Sequence, residues 1–246
     1  MQTNIRAPYQ FKGALTAWLC AECDEPLANV KVRLYRLSTD QNATLMAVAP
    51  AKDTLAVLSD EQVQAKSQLL LAEVVTDAYG HFVFDLGGDG YKGEAFEIDV
   101  YCGSVPLQKI PHTPPKPRQF SITTVQPLWR QRESQLMAAW RYTVPARFWC
   151  YFRSLLGAWV VCGKVVTCAN TSMPVSNVKV AAFDVDWLQD DAIGFGMTDG
   201  SGKFRIDYGP EDFRKTPWSP LINWETKATE WDALQQTPSA HVAGWV

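Results

Sequence analysis

Two groups of residues in this chain carry side chains dense enough for chemistry. Asp184, Asp186, Asp190 and Asp191 crowd four carboxylates into one short stretch, DVDWLQDD. Hard cations such as Ca²⁺ take six or more oxygens, and carboxylates alternating along a strand end and loop supply several of them. The spacing matches no EF-hand loop, so a solvated acidic loop and a partner-docking loop stand beside the Ca²⁺ reading. Asp184 and Asp186 share one strand face, where burial without an ion or partner would be costly.

Cys20-x-x-Cys23 has the spacing of zinc and redox sites. A closed zinc site needs two further ligands, and no second close Cys/His pair exists in the sequence. Cys162 and Cys168 lie in one expected strand, and Cys168 falls on Cys20 when two similar stretches of the chain are aligned. That equivalence favours small buried apolar residues over ligands.

Acid–base and nucleophilic chemistry find less support. The three histidines, His81, His112 and His241, are scattered. No Ser or Cys occupies a nucleophile-elbow sequence, and GGDGYKG lacks the Lys-Ser/Thr ending of a phosphate loop. Thr76-Asp77 and Thr198-Asp199 recur as a pair, but each precedes a glycine and reads as a turn. Asp there accepts backbone N–H groups and the glycine takes positive φ.

The elements that position these residues are mostly strands. Val30, Val32 and Leu34 alternate with Lys31, Arg33 and Tyr35, and Phe82, Phe84 and Leu86 alternate with polar neighbours. Strands are expected over 13–20, 30–35, 69–76, 82–86, 94–102 and 119–125, with AECDEP and the Pro-rich PHTPPKP as connections. The stretch 39–68 interrupts them as a polar insert with a short helix from Asp60, capped by Ser59 and Gln62. Over 128–157 the apolar residues fall at helical spacing around Pro145, which predicts a helical hairpin or kinked helix; an amphipathic membrane-surface segment is the other reading.

Part of this order occurs twice. PVSNVKVAAFD and MTDGSGKFRIDYG in the second half answer EPLANVKVRLYR and VTDAYGHFVFDLG in the first. The longer interval in the first copy is accounted for by the 39–68 insert, as in a tandem duplication with unequal loops. The second copy lacks counterparts of the strands over 94–125; its 210–246 tail reads as loop with one short helix around 229–236.

On these motifs the chain resembles the transthyretin-like, carboxypeptidase-regulatory-like β-sandwich modules. The resemblance is carried by Pro174, Val175, Val178, Val180, Thr198, Asp199, Gly202 and Phe204. Pro26, Leu27, Val30, Val32, Thr76, Asp77, Gly80 and Phe82 carry it in the first copy. It implies a mainly β chain of two tandem antiparallel Greek-key β-sandwiches joined by an α-helical linker, the second incomplete. The expected boundaries are 1–127, a linker over 128–157, 158–209 and a tail over 210–246. Such modules serve mostly in binding, spacing or assembly. Enzymes with a similar sandwich do not carry over. The His-rich iron motif of intradiol dioxygenases meets TPWSPLINWE, and the C-terminal Tyr-Arg-Gly-Ser of hydroxyisourate hydrolases meets Ala-Gly-Trp-Val.

Composition bounds the function further. The 246 residues are 47% hydrophobic and 20% charged with a net charge of −3, so no basic footprint for nucleic acid exists. No run of about 18 apolar residues marks a membrane span. The N-terminal residues show no secretory signal pattern, which makes the cytoplasm the default location; export without such a signal stays open. The six cysteines are then expected as thiols.

The expected function is therefore a non-enzymatic structural or protein-interaction role, through sheet edges, the 39–68 insert and the acidic loop. The unpaired edges of the second sandwich would take a protein partner or a second copy. The alternatives are a carbohydrate-binding module using Trp187, Trp218 or Trp224, a Ca²⁺-stabilised assembly component and, last, a hydrolase.

Overall fold

In the computed structural model of the chain, residues 9–20, 23–37, 55–87, 90–109, 113–168, 173–184 and 191–213 are described, Asp184 and Asp191 by their backbone alone. The first strands are β1 (Tyr9–Cys20), β2 (Cys23–Pro26), β3 (Lys31–Arg36) and β4 (Ala56–Leu58), followed by helix α1 (Asp60–Lys66). Then come β5 (Leu70–Val75), β6 (His81–Asp85), β7 (Phe96–Cys102), β8 (Arg118–Val125), β9 (Arg130–Arg132) and β10 (Gln135–Val144). Helix α2 (Ala146–Leu155) precedes β11 (Trp159–Lys164), β12 (Lys179–Asp184), β13 (Asp191–Met197) and β14 (Lys203–Tyr208). The fold is mainly β, in several largely antiparallel sheets.

The chain divides into two compact units. Unit 1 comprises Met1–Ala17, Pro26–Pro106 and Lys116–Val144; unit 2 comprises Trp18–Glu25, Leu107–Pro115 and Pro145–Val246.

Unit 1 has two sheets. One runs β4-β8-β7-β3-β5; in the other β1 pairs with β6 and β10, and β10 with β9. The alternation seen in the sequence sets their inner faces. Val32 and Leu34 of β3, Phe82 and Phe84 of β6, and Phe96, Ile98 and Val100 of β7 are all buried. Phe11 of β1 meets Phe96 of β7 edge-on at 5.0 Å, so aromatic rings from both sheets fill the space between them. The expected cap on α1 forms: Ser59 Oγ accepts from the Gln62 N–H, and Gln62 Oε1 accepts from the Ser59 N–H.

Three expectations need correction. Residues 128–144 are not helical: they form β9 and β10, and helix begins only at Ala146. β10 lies parallel to β1 from Tyr9↔Leu136 to Ala17↔Val144. The backbone partners offered by β1, with the pleat-filling Trp140, Tyr142, Thr143 and Val144, override a weak helical spacing. Pro145 sits at the N-cap of α2, where its missing N–H costs nothing, and Gly157 follows the helix at φ +65°. Second, Cys23–Pro26 is strand rather than turn. Third, Cys168 does not match Cys20. The Leu15 N–H donates to Gly80 O and the Val165 N–H to Gly202 O, which makes Trp18 and not Cys20 the counterpart of Cys168. Cys168 is exposed.

In unit 2 the described strands pair as β11 with β14 and β12 with β13. Val180, Ala182, Ile193, Phe204, Ile206 and Tyr208 form their core, with Trp159, Val161 and Val165 packed against it.

Candidate functional site

The motif that repeats in sequence repeats bond for bond. Asn29 and Asn177 open it at φ +57° and +58°, and Gly80 and Gly202 close its turn at +76° each. The Thr76 hydroxyl accepts from the Val30 N–H at 3.0 Å, and the Thr198 hydroxyl from the Val178 N–H at 2.9 Å. Asp77 Oδ1 accepts from the Tyr79 and His81 N–H groups, and Asp199 Oδ1 from those of Ser201 and Lys203. The His81 N–H chiefly holds the Asp77 carboxyl below its usual range; for Asp199 the Ser201 hydroxyl leads. These aspartates hold turns, as their spacing implies.

In each unit a shallow open depression lies beside this motif. In unit 1 it measures about 370 Å³ and is lined by Lys12, His81, Trp140 and Arg141. In unit 2 it measures about 350 Å³ and is lined by Cys23, Asp24, Cys162, Asp199, Lys203 and Arg205. Gly13 lies beneath the Phe82 ring and Gly163 beneath that of Phe204. Cys162 therefore stands where unit 1 has Lys12.

The unit 2 depression borders a cysteine cluster. Cys20 ends β1, Cys23 begins β2 and Cys162 lies on β11; their Sγ atoms are within 4.8 Å of one another. All three are half-buried, and all six cysteines are thiols. Burial raises the pKa of both Cys23 and Cys162; Cys20 adds to the rise at both and Cys23 to that of Cys162, while Cys162 works against it at Cys23. Lys203 pulls Cys23 back. By contrast Cys102 in unit 1 is pushed up to about 12 by burial alone and is an inert core residue.

Unit 2 also contains a buried ion cluster. Arg153, the one charge in the apolar stretch after Phe148, is 1% exposed and donates to Glu25 at 2.8 Å and to Asp207 at 3.1 Å. Arg205 pairs with the other oxygens of Glu25 and Asp207 at 2.8 and 2.7 Å. Trp149 Nε1–H donates to Glu25 as well. Two acids and two arginines balance, and every charge faces an opposite one.

Of the expected Ca²⁺ ligands, Asp186 and Asp190 lie outside the described residues. Asp184 and Asp191 are backbone register partners at the end of the β12–β13 ladder. Trp187, Trp218 and Trp224 also lie outside, as does the 210–246 tail beyond Phe213. What sequence reasoning missed is the convergence of Cys162 on Cys20-x-x-Cys23. Its signal was a lone cysteine on an expected strand, which names no partner.

No protein-family model matches the sequence, and comparison with curated proteins finds no match. Among solved structures the chain is similar to a candidate carbohydrate-binding protein of Pseudomonas aeruginosa, at TM-score 0.29 and 17% identity over 58% of this chain and 92% of that one. It is also similar to the shaft pilin SpaA of Lactobacillus rhamnosus GG, at TM-score 0.30 and 8% identity over 83% of both chains. A 9R-lipoxygenase of Cyanothece is similar over 58% of this chain and 17% of its own, at TM-score 0.27 and 14% identity. Likeness at this level carries no argument about function. No helix among the described residues is long and apolar enough to cross a membrane.

Proposed function

We propose that the chain is a non-enzymatic structural or protein-interaction protein built from two transthyretin-like modules, the second of which binds by accepting a strand. One contrast carries the reading. β3 is paired on both sides, by β5 and by β7, whereas its counterpart β12 pairs, among the described residues, with β13 alone. An open edge on a packed sheet presents a row of backbone donors and acceptors, the template that strand addition uses. β13 adds an apolar surface through Phe195 and Met197, which are exposed. The occupant proposed is a strand from a second copy of the chain.

Light scattering on the full chain across a concentration series is expected to show a dimer that dissociates on dilution. Hydrogen exchange should show the β12 amides protected in the dimer and labile in the monomer. A monomer at every concentration with β12 already protected would sink the proposal, since the chain would then be covering its own edge.

A further inference from the structure

We infer that Cys20, Cys23 and Cys162 form a binding site for a thiophilic divalent metal ion, with Zn²⁺ as its probe. The sequence offers only a Cys-x-x-Cys pair, which by itself lacks the ligands of a zinc site; the fold supplies the third cysteine from β11. In a tetrahedral site with Zn–S bonds of about 2.3 Å, the sulfurs stand about 3.8 Å apart. The three Sγ atoms already lie within 4.8 Å of one another, so an ion would draw them in by about an ångström at most. A Cβ–Sγ rotation covers that distance without moving the strands.

The surroundings suit a thiolate centre. Three thiolates around one divalent ion leave a net charge of −1, and Lys203 and Arg205 line the same depression. Both Glu25 and Asp207 hold Arg205 in place. The depression is open and borders Cys23 and Cys162, which leaves room for water as a fourth ligand. Binding releases the protons of the three thiols, so the ion stabilises unit 2 only with its cysteines reduced. The counterpart position in unit 1 holds Lys12, a residue that binds no metal, so the site belongs to unit 2 alone.

The test uses the full chain, reduced and stripped with a chelator, then titrated with Zn²⁺ and with Co²⁺ as a spectroscopic substitute. One equivalent per chain is expected, with sulfur-to-cobalt charge-transfer absorption in the near ultraviolet. Zn²⁺ should protect Cys20, Cys23 and Cys162 from alkylation, read peptide by peptide, while leaving Cys168 reactive. This footprint needs no variant and so does not depend on one folding. Cys162→Ser is expected to weaken Zn²⁺ binding by more than the roughly 10–100-fold that loss of an outer-shell partner costs, and Cys168→Ser to leave it unchanged. The inference is overturned if the reduced chain binds no stoichiometric Zn²⁺ or if Cys162→Ser binds as tightly as the parent. Protection confined to other cysteines would overturn it too, as would a disulfide within the trio whose reduction restores no binding.

Discussion

Replacing Glu25 by Gln is expected to be among the most damaging single-atom changes available in unit 2. The side chain keeps its shape and loses one charge. Glu25 is 2% exposed, accepts from Trp149 Nε1–H and Arg153, and is ion-paired with Arg205. In Glu25→Gln two arginines face Asp207 alone, and a net positive charge is stranded where water cannot reach Arg153. Breaking a buried ion pair from one side costs about 3–5 kcal/mol. Arg205 keeps 23% of its side-chain exposure and can turn outward, which moves the expectation to the lower end, about 3 kcal/mol.

Urea unfolding followed by circular dichroism measures this, with hydrogen exchange assigning the loss to unit 2, since two units need not unfold together. A cycle with Arg153→Met sharpens it. The double variant removes one charge of each sign and leaves Arg205 paired with Asp207. Its cost is expected to fall short of the summed single costs by about 1–3 kcal/mol. A Glu25→Gln loss under about 1 kcal/mol, or strict additivity in the cycle, would show that the cluster is solvated and would refute the argument.

Gly80→Ala and Gly202→Ala should each cost more than about 2 kcal/mol. The left-handed backbone alone costs an L-residue about 1–2 kcal/mol. The new Cβ would also stand 2.2 Å from Leu15 O in one case and 2.5 Å from Val165 O in the other. Urea melts showing a loss below about 0.5 kcal/mol would contradict the turn geometry. Thr76→Val removes a buried hydroxyl that accepts from Val30 N–H and donates to Leu27 O, and is expected to lose about 1–3 kcal/mol; Thr76→Ser should recover most of it in the same melts. Acidification should destabilise the fold. Burial pushes the Glu73 carboxyl up, but Lys31 and Arg33 together outweigh it and hold it below its usual range. Asp77 and Asp199 are lowered as well. Their ionised forms therefore favour the fold above the ordinary carboxylate pKa of about 4, and that stability is lost as pH falls through the lowered values. Tm measured from pH 7 to pH 3 should drop below about pH 4 and drop less steeply in Glu73→Gln, whereas a flat profile would count against this.

The strands were legible because one face of each is buried and the other wet, and that alternation is written in residue types. The Thr-Asp turns were legible because a turn's bonds are local: Asp77 and Asp199 reach only as far as two and four residues on. Residues 128–144 were misread because Trp129, Leu136, Met137, Trp140 and Val144 fit a helical period, while what decides their state is a pairing with β1, more than a hundred residues away. The Cys cluster and Arg153 were hidden for the same reason. Arg153 stands as a lone charge in an apolar stretch, and Glu25 and Asp207, which neutralise it, arrive from two distant strands.

The repeated motif turns this asymmetry into an argument about where function resides. Turn, threonine hydroxyl and glycine under the ring are common to both units, and each of those residues is accounted for by the backbone it holds. Side chains that differ at matching positions are under no such demand. Cys162 replaces Lys12, Lys203 replaces His81 and Arg205 replaces Val83, and all of these substitutions line or border the same depression. A fold that needed only strands at these positions would accept Lys and Val in both units. Unit 2 instead gathers three thiols with two basic residues at that place, Cys20 and Cys23 from β1 and β2 and Cys162 from β11, so the chemistry particular to this chain is expected there before the acidic loop.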